Sequence, residues 1–244
     1  MHEKTGALDD FKDAYKADFP YALDNRLILN WYPQRVIRAA RGGSLLELGL
    51  GHGYSTRAFS THFQRHVVID GSPEVIRQFR ENFPDVHVEI QEAYFEQFDT
   101  TEKFDVVVMG FVLEHVDDPA LILRAYKRFL KPGGSVFVAV PNCQALNKRF
   151  GYAAGLIPDV THLSAADDAL GHHRLFTVES LHSLVMDAGY RAKLTEGIFL
   201  KPITTQQIRE LQLSEAILNA MLVVGVEYPE LCVGILMQLE EAAS

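Results

Sequence analysis

Between residues 44 and 140, five short apolar runs recur with helical stretches between them. The runs are 44–48, 67–70, 86–90, 104–109 and 135–140, most of them rich in Val, Ile and Leu and bounded by turn residues, so they read as strands. Helices are expected over 54–64, 73–83 and 119–130, the last two opening on Pro73 and Pro119 at a favoured first helical position. Strands alternating with helices at this spacing predict an α/β fold with a mostly parallel sheet and helices on both faces.

Flanking segments extend the pattern. Asp24 is expected to cap a helix through Leu27, Trp31 and Val36, which ends at Arg41-Gly42-Gly43. Lys131-Pro132-Gly133-Gly134 breaks the chain before the fifth strand. Residues 177–188 read as a helix with Thr177 as its N-cap, 191–200 as a sixth strand, 204–227 as a helical stretch and 231–239 as a seventh strand. No repeat or linker divides the 244 residues, so a single domain is expected over 1–244.

Composition narrows the function. The formal charge of −9 and the lack of a basic stripe argue against a nucleic-acid footprint, which needs clustered Lys and Arg. Cys143 and Cys232 form no CxxC pair and read as small buried hydrophobes in a reducing compartment. No apolar run is long enough to span a membrane and the first residues lack a signal-peptide core, so a cytoplasmic protein is expected.

The chemistry concentrates at Glu47-Leu48-Gly49-Leu50-Gly51-His52-Gly53, where the first strand turns into a helix. Residues without a Cβ let the backbone turn sharply and let a ligand approach it. An acid, Asp70, ends the next strand about 20 residues on, where a ribose-binding carboxylate is expected. An NAD-dependent oxidoreductase shares that logic, but its fingerprint wants a third glycine where Tyr54 stands here.

Taken in order, Glu-x-Gly-x-Gly-x-Gly, Val-Ile-Asp-Gly-Ser, Phe-Asp-Val-Val-Val, Val-Leu-Glu-His-Val-Asp-Asp-Pro, Leu-Lys-Pro-Gly-Gly and Val-Pro-Asn resemble a class I S-adenosylmethionine-dependent methyltransferase. The chain is similar to the small-molecule branch with ubiquinone, sugar and natural-product enzymes. Its tail, with Gly-Ile-Phe-Leu-Lys-Pro and Glu-Tyr-Pro-Glu-Leu-Cys, resembles a bacterial subgroup of surface-glycan and secondary-metabolite pathways. The resemblance implies a Rossmann-like sheet of seven strands, mostly parallel, with an antiparallel last strand. It implies an N-terminal helical lid at 1–41, a donor-binding half at 42–142 and an acceptor-side half at 143–244. S-adenosylmethionine would be the cofactor and an oxygen or nitrogen of a small metabolite the acceptor. A non-catalytic relative that binds the donor keeps the same fold and stays open.

Carried over by position, the resemblance gives Glu47 the methionine ammonium. Gly49, Gly51 and Gly53 would line the methionine and ribose, and Asp70 would hold the ribose hydroxyls. Gly71 and Ser72 would flank the adenine, Tyr94 and Phe95 would enclose it, and Phe111 would border the sulfonium. Each has a plainer alternative: Glu47 capping a strand end, and Tyr54, Phe95 and Phe111 as core aromatics. No metal is expected at Glu114-His115, because the earlier acid of a two-acid pattern is Phe111 here. His172 and His173, with His162 nearby, lie where relatives build acceptor pockets; one could take an acceptor proton, or His173 and Arg174 could form a structural pair. Tyr15, Tyr21 and Trp31 suit a lid or a staple equally well. The apolar face of 204–227 suits the core, a cover over the acceptor or a homodimer contact.

Overall fold

The computed structural model describes residues 22–161, 163, 167 and 170–242. The expectations for Tyr15, Tyr21 and His162 lie outside these residues. In chain order the elements are α1 (Ala22–Ala39), β1 (Ser44–Leu48), α2 (Tyr54–Ser60), β2 (Arg65–Asp70), α3 (Pro73–Asn82), β3 (Glu89–Glu92), β4 (Phe104–Gly110), α4 (Pro119–Tyr126), β5 (Leu130–Pro141), α5 (Leu146–Ala153), α6 (Val178–Asp187), β6 (Tyr190–Ile198), α7 (Thr205–Glu210), α8 (Glu215–Gly225) and β7 (Gly234–Glu241).

One seven-stranded sheet runs β3-β2-β1-β4-β5-β7-β6. The pairs from β3 to β5 are parallel, and β7 lies antiparallel between β5 and β6. Side chains alternate between the two faces. Leu46, Leu48, Val107, Met109, Val136 and Val138 pack on α4 and α6, while Leu45, Val106, Val108, Phe137 and Leu236 pack on α1, α2 and α8. β1 and β4 are neighbours although the chain leaves them in opposite directions. Their carboxyl ends therefore flank the switch point where open α/β sheets bind ligands.

Local detail departs from expectation where long-range contacts compete with pattern. Asp24 lies within the first turn of α1 rather than before it, buried where Lys201 and Thr205 bind its carboxylate. The third strand starts at Glu89 rather than Val86, because Val86 and Val88 pack with Leu50, Val75, Ile76 and Phe79 instead. Lys131 to Gly134 do not stay outside β5. They enter it as an irregularity, so that Phe104 pairs with Leu130 and Val106 with Ser135. The stretch 204–227 is two helices, parted near Gln212 (φ 51°) and restarted by the Ser214 N-cap. Thr177 caps α6 through a reciprocal pair with Ser180.

Candidate active site

The glycine loop leaves β1 with all three glycines in the left-handed region, at φ 80° for Gly49, 49° for Gly51 and 78° for Gly53. Two backbone bonds fold it: Gly49 N–H donates to the Ile69 carbonyl and Gly53 N–H to the Leu50 carbonyl, both at 2.8 Å. A Cβ on Gly53 would fall 2.6 Å from the rings of Phe79 and Phe83, so this glycine seats α3 against the loop. A Cβ on Gly51 would meet nothing within 4 Å, which leaves one side of the loop backbone open to a ligand.

Asp70 ends β2 beside this loop. One carboxylate oxygen accepts from Leu50 N–H at 2.8 Å and the other from Ser72 N–H at 2.9 Å. Burial pushes its pKa up, the two amides pull it down, and Glu47 adds repulsion. Each carboxylate oxygen keeps a second lone pair, so Asp70 can still accept from a diol. Gly71 completes the turn, and the Ser72 hydroxyl caps α3 by accepting from Val75 N–H. The chain after β3 returns to this tip, where Ala93 N–H donates to the Asp70 carbonyl at 3.1 Å. That return sets Phe95 3.9 Å from where a Gly49 Cβ would stand, and it buries the Tyr94 hydroxyl with no partner.

Phe111 follows β4 at φ 58°, a conformation that costs a non-glycine residue about 1–3 kcal/mol and that clusters at functional sites. Its N–H donates to the Ala139 carbonyl at 2.7 Å, and its ring stands edge-on to Tyr32 of α1 at 5.7 Å. Beneath the loop, Glu47 is buried and accepts from His66 Nε2 at 2.9 Å, leaving its Oε1 without a partner. From above, Asn25 of α1 contacts His52 of the loop at 3.2 Å.

A second polar group lies past β4. Glu114, His115 and His172 each present a donor atom, all within 4.8 Å of one another. Both Glu114 oxygens are buried without a hydrogen-bond partner, and burial pushes its pKa up to about 8. His115 Nδ1 lies 3.1 Å from the Gly171 carbonyl, and burial first of all lowers its pKa to about 4, so the ring is neutral. His172 Nδ1 lies 3.0 Å from Asp167, and its ring stands 5.0 Å from that of His115. Arg174 fixes the loop by donating to the carbonyls of Leu113, Val116 and Asp117. His173 is not among this group. Its side chain is half exposed, 3.8 Å from Asp117.

Reading the residues alone set Glu114-His115 aside and did not name Asp167. The Glu-His doublet after a strand and an acid five positions before His172 were the available signals. One carboxylate and two imidazoles form a set that a divalent cation could share, even with Phe111 in place of a second acid.

A family model described as a methyltransferase domain matches residues 23–194. The chain belongs to this family. It is an S-adenosylmethionine-dependent methyltransferase, and the dinucleotide alternative falls with that match. The methyltransferase is 29% identical over 189 residues to the ubiquinone biosynthesis O-methyltransferase of Pseudomonas savastanoi pv. phaseolicola, covering 74% of this chain and 77% of that one. Against the enzyme of the same name from Pseudomonas fluorescens Pf0-1 it is 33% identical over 150 residues, covering 57% and 62%. Its fold is similar to that of an S-adenosylmethionine-dependent methyltransferase from Thermotoga maritima, with a TM-score of 0.65, 20% identity and coverage of 96% and 99%. It is also similar to the N-methyltransferase NodS of Bradyrhizobium japonicum in complex with S-adenosylhomocysteine, with a TM-score of 0.59, 15% identity and coverage of 96% and 98%.

The residues present fit such a donor. A loop whose backbone is bare at Gly51, a carboxylate at the adjoining strand tip and an unpartnered Tyr94 hydroxyl are what a nucleoside with an amino-acid end requires. No helix among the described residues is long and apolar enough to cross a membrane.

Proposed function

We propose that this methyltransferase moves the methyl group of S-adenosylmethionine to an oxygen or nitrogen of a small metabolite, with His172 taking the acceptor's proton. In this reading Glu47 receives the donor ammonium, Gly49, Gly51 and Gly53 border the methionine and ribose, and Asp70 holds the ribose hydroxyls. Gly71, Ser72, Tyr94 and Phe95 enclose the adenine, and Phe111 faces the sulfonium. The donor supplies an already activated methyl group, so the protein's work is alignment and exclusion of water. Orientation of this kind is worth about 7–11 kcal/mol of barrier.

The observation that carries the base is the Asp167–His172 contact. A carboxylate on Nδ1 fixes the tautomer that keeps its basic lone pair on Nε2. Neutral His115 beside it adds no charge to repel the proton His172 gains. The described residues around Asp167 and His172 border the acceptor side of this reading, and a sugar or another secondary metabolite is the acceptor class we favour. The named O-methyltransferases among the relatives support oxygen as the receiving atom. Incubating the enzyme with isotope-labelled donor and a panel of phenols, sugars and amines, read by mass increase, tests the reading. Labelled amines alone would overturn the preference for oxygen, and labelling of none of the panel would overturn the proposed acceptor class.

A further inference from the structure

We propose that His66 is a positioning residue for the donor ammonium: it holds the Glu47 carboxylate in place, and the donor binds only while its imidazole is neutral. The inference rests on the reading that Glu47 receives that ammonium.

Parallel pairing sets Leu45 opposite His66, so Glu47, two residues on, shares the face on which His66 lies. The imidazole Nε2 and the carboxylate meet at 2.9 Å. Both side chains are almost wholly buried, at 3% and 1% exposure. Each retains one buried atom with no partner, Nδ1 of His66 and Oε1 of Glu47. Glu47 thus has one oxygen held and one to give.

Burial makes the charge balance strict, because each extra charge in a dry interior is expensive. Three described neighbours of the pair are a ring, a hydroxyl and a second carboxylate. From α2 the Phe59 ring packs edge-on to His66 at 6.3 Å. From α1 the ionisable neighbour is Tyr32, whose pKa burial and then Glu47 raise, so it stays a neutral hydroxyl. Asp70, at the end of β2, feels Glu47 as a like charge. One carboxylate can therefore be balanced by a protonated His66 or by an incoming ammonium. Both together set two like charges against the same buried carboxylate, where they repel each other. An aminoacyl nucleoside and a proton on the imidazole then compete for that carboxylate.

Calorimetry of S-adenosylhomocysteine binding, repeated across the imidazole titration range in two buffers of different ionisation enthalpy, tests this. The expected result is release of up to about one proton and an affinity that falls about tenfold per pH unit on the acid side. His66→Gln keeps a donor for Glu47 but cannot titrate, and it should flatten that dependence. 5′-Methylthioadenosine, which lacks the ammonium, should bind the unaltered enzyme with no proton release in this range. Equal proton release with methylthioadenosine, or an unchanged profile in His66→Gln, overturns the proposal without calling on any mutant's stability in the first case. Glu47→Gln separates the two layers. Unchanged S-adenosylhomocysteine affinity there removes the Glu47 reading itself. Weakened affinity with the pH dependence intact in His66→Gln removes only the role of His66.

Discussion

Two buried carboxylates of the candidate site, Asp70 and Glu114, are handled in opposite ways. At the tip of β2 the chain satisfies its own carboxylate: Asp70 takes one amide from the glycine loop and one from the turn into α3. Past β4, Glu114 is equally buried, yet neither of its oxygens has a hydrogen-bond partner, and its neighbours are two imidazoles. A satisfied carboxylate is a framework that keeps its shape before any ligand arrives. An unsatisfied one stores free energy for whatever completes it, since a buried polar group without a partner costs roughly 1–3 kcal/mol. The tip of β2 is thus built to be constant, whereas Glu114, like the free Oε1 of Glu47, is left to be completed.

Substitutions sharpen that contrast. The largest effect is expected for His172→Ala, which should lower turnover by about 10²–10⁴-fold once an acceptor is in hand, with S-adenosylhomocysteine affinity kept. His173→Ala should stay near the parent rate, and equal losses from the two variants would erase the distinction between them. Next comes Asp70→Ala. It removes the acceptor for the Leu50 and Ser72 amides as well as the proposed ribose contact, and calorimetry should show an approximately hundredfold weaker nucleoside. Unchanged affinity would show that the carboxylate serves the loop alone.

Gly53→Ala and Gly51→Ala form a matched pair at positive φ. The first pushes a Cβ to 2.6 Å from Phe79 and Phe83, and the second enters open space. Thermal unfolding should place Gly53→Ala lower by about 1–3 kcal/mol. Gly51→Ala should lose donor affinity more than stability.

The smallest effect concerns pH. Burial raises the folded pKa of Glu114 to about 8, so between the ordinary carboxylate range and that value the folded protein holds a proton that the unfolded chain has lost. Stability from this group is therefore present at acid pH and is lost as pH rises toward 8. Glu114→Gln should gain melting temperature relative to the parent at pH 8 and not at pH 5; an equal change at both would show that Glu114 is not carrying the proton.

The glycine loop and the acid beside it were readable because both are local in sequence. Glycines requiring positive φ and an acid at the end of the next run announce themselves within about 25 residues. The sheet was readable for the same reason, since apolar alternation is a short-range signal. What stayed hidden is made by distance. His115 meets His172 across 57 positions, and Glu47 meets His66 only because β1 and β2 pair in one register. The slot of β7 between β5 and β6 is likewise a tertiary choice, as is the burial of Asp24 against Lys201 and Thr205. Phe111 carries no mark of its left-handed backbone, because its residue type does not ask for one.

The buried meeting of Lys201 with Asp24 and Thr205 sets a limit on how this polypeptide can be trimmed. Removing residues through Asp24 would take away the carboxylate that buried Lys201 and Thr205 share, 177 positions from Lys201. Damage from an amino-terminal deletion would then surface at the junction of β6 and α7. Proteolytic nicking at that junction, rather than at the new terminus, would be its first sign.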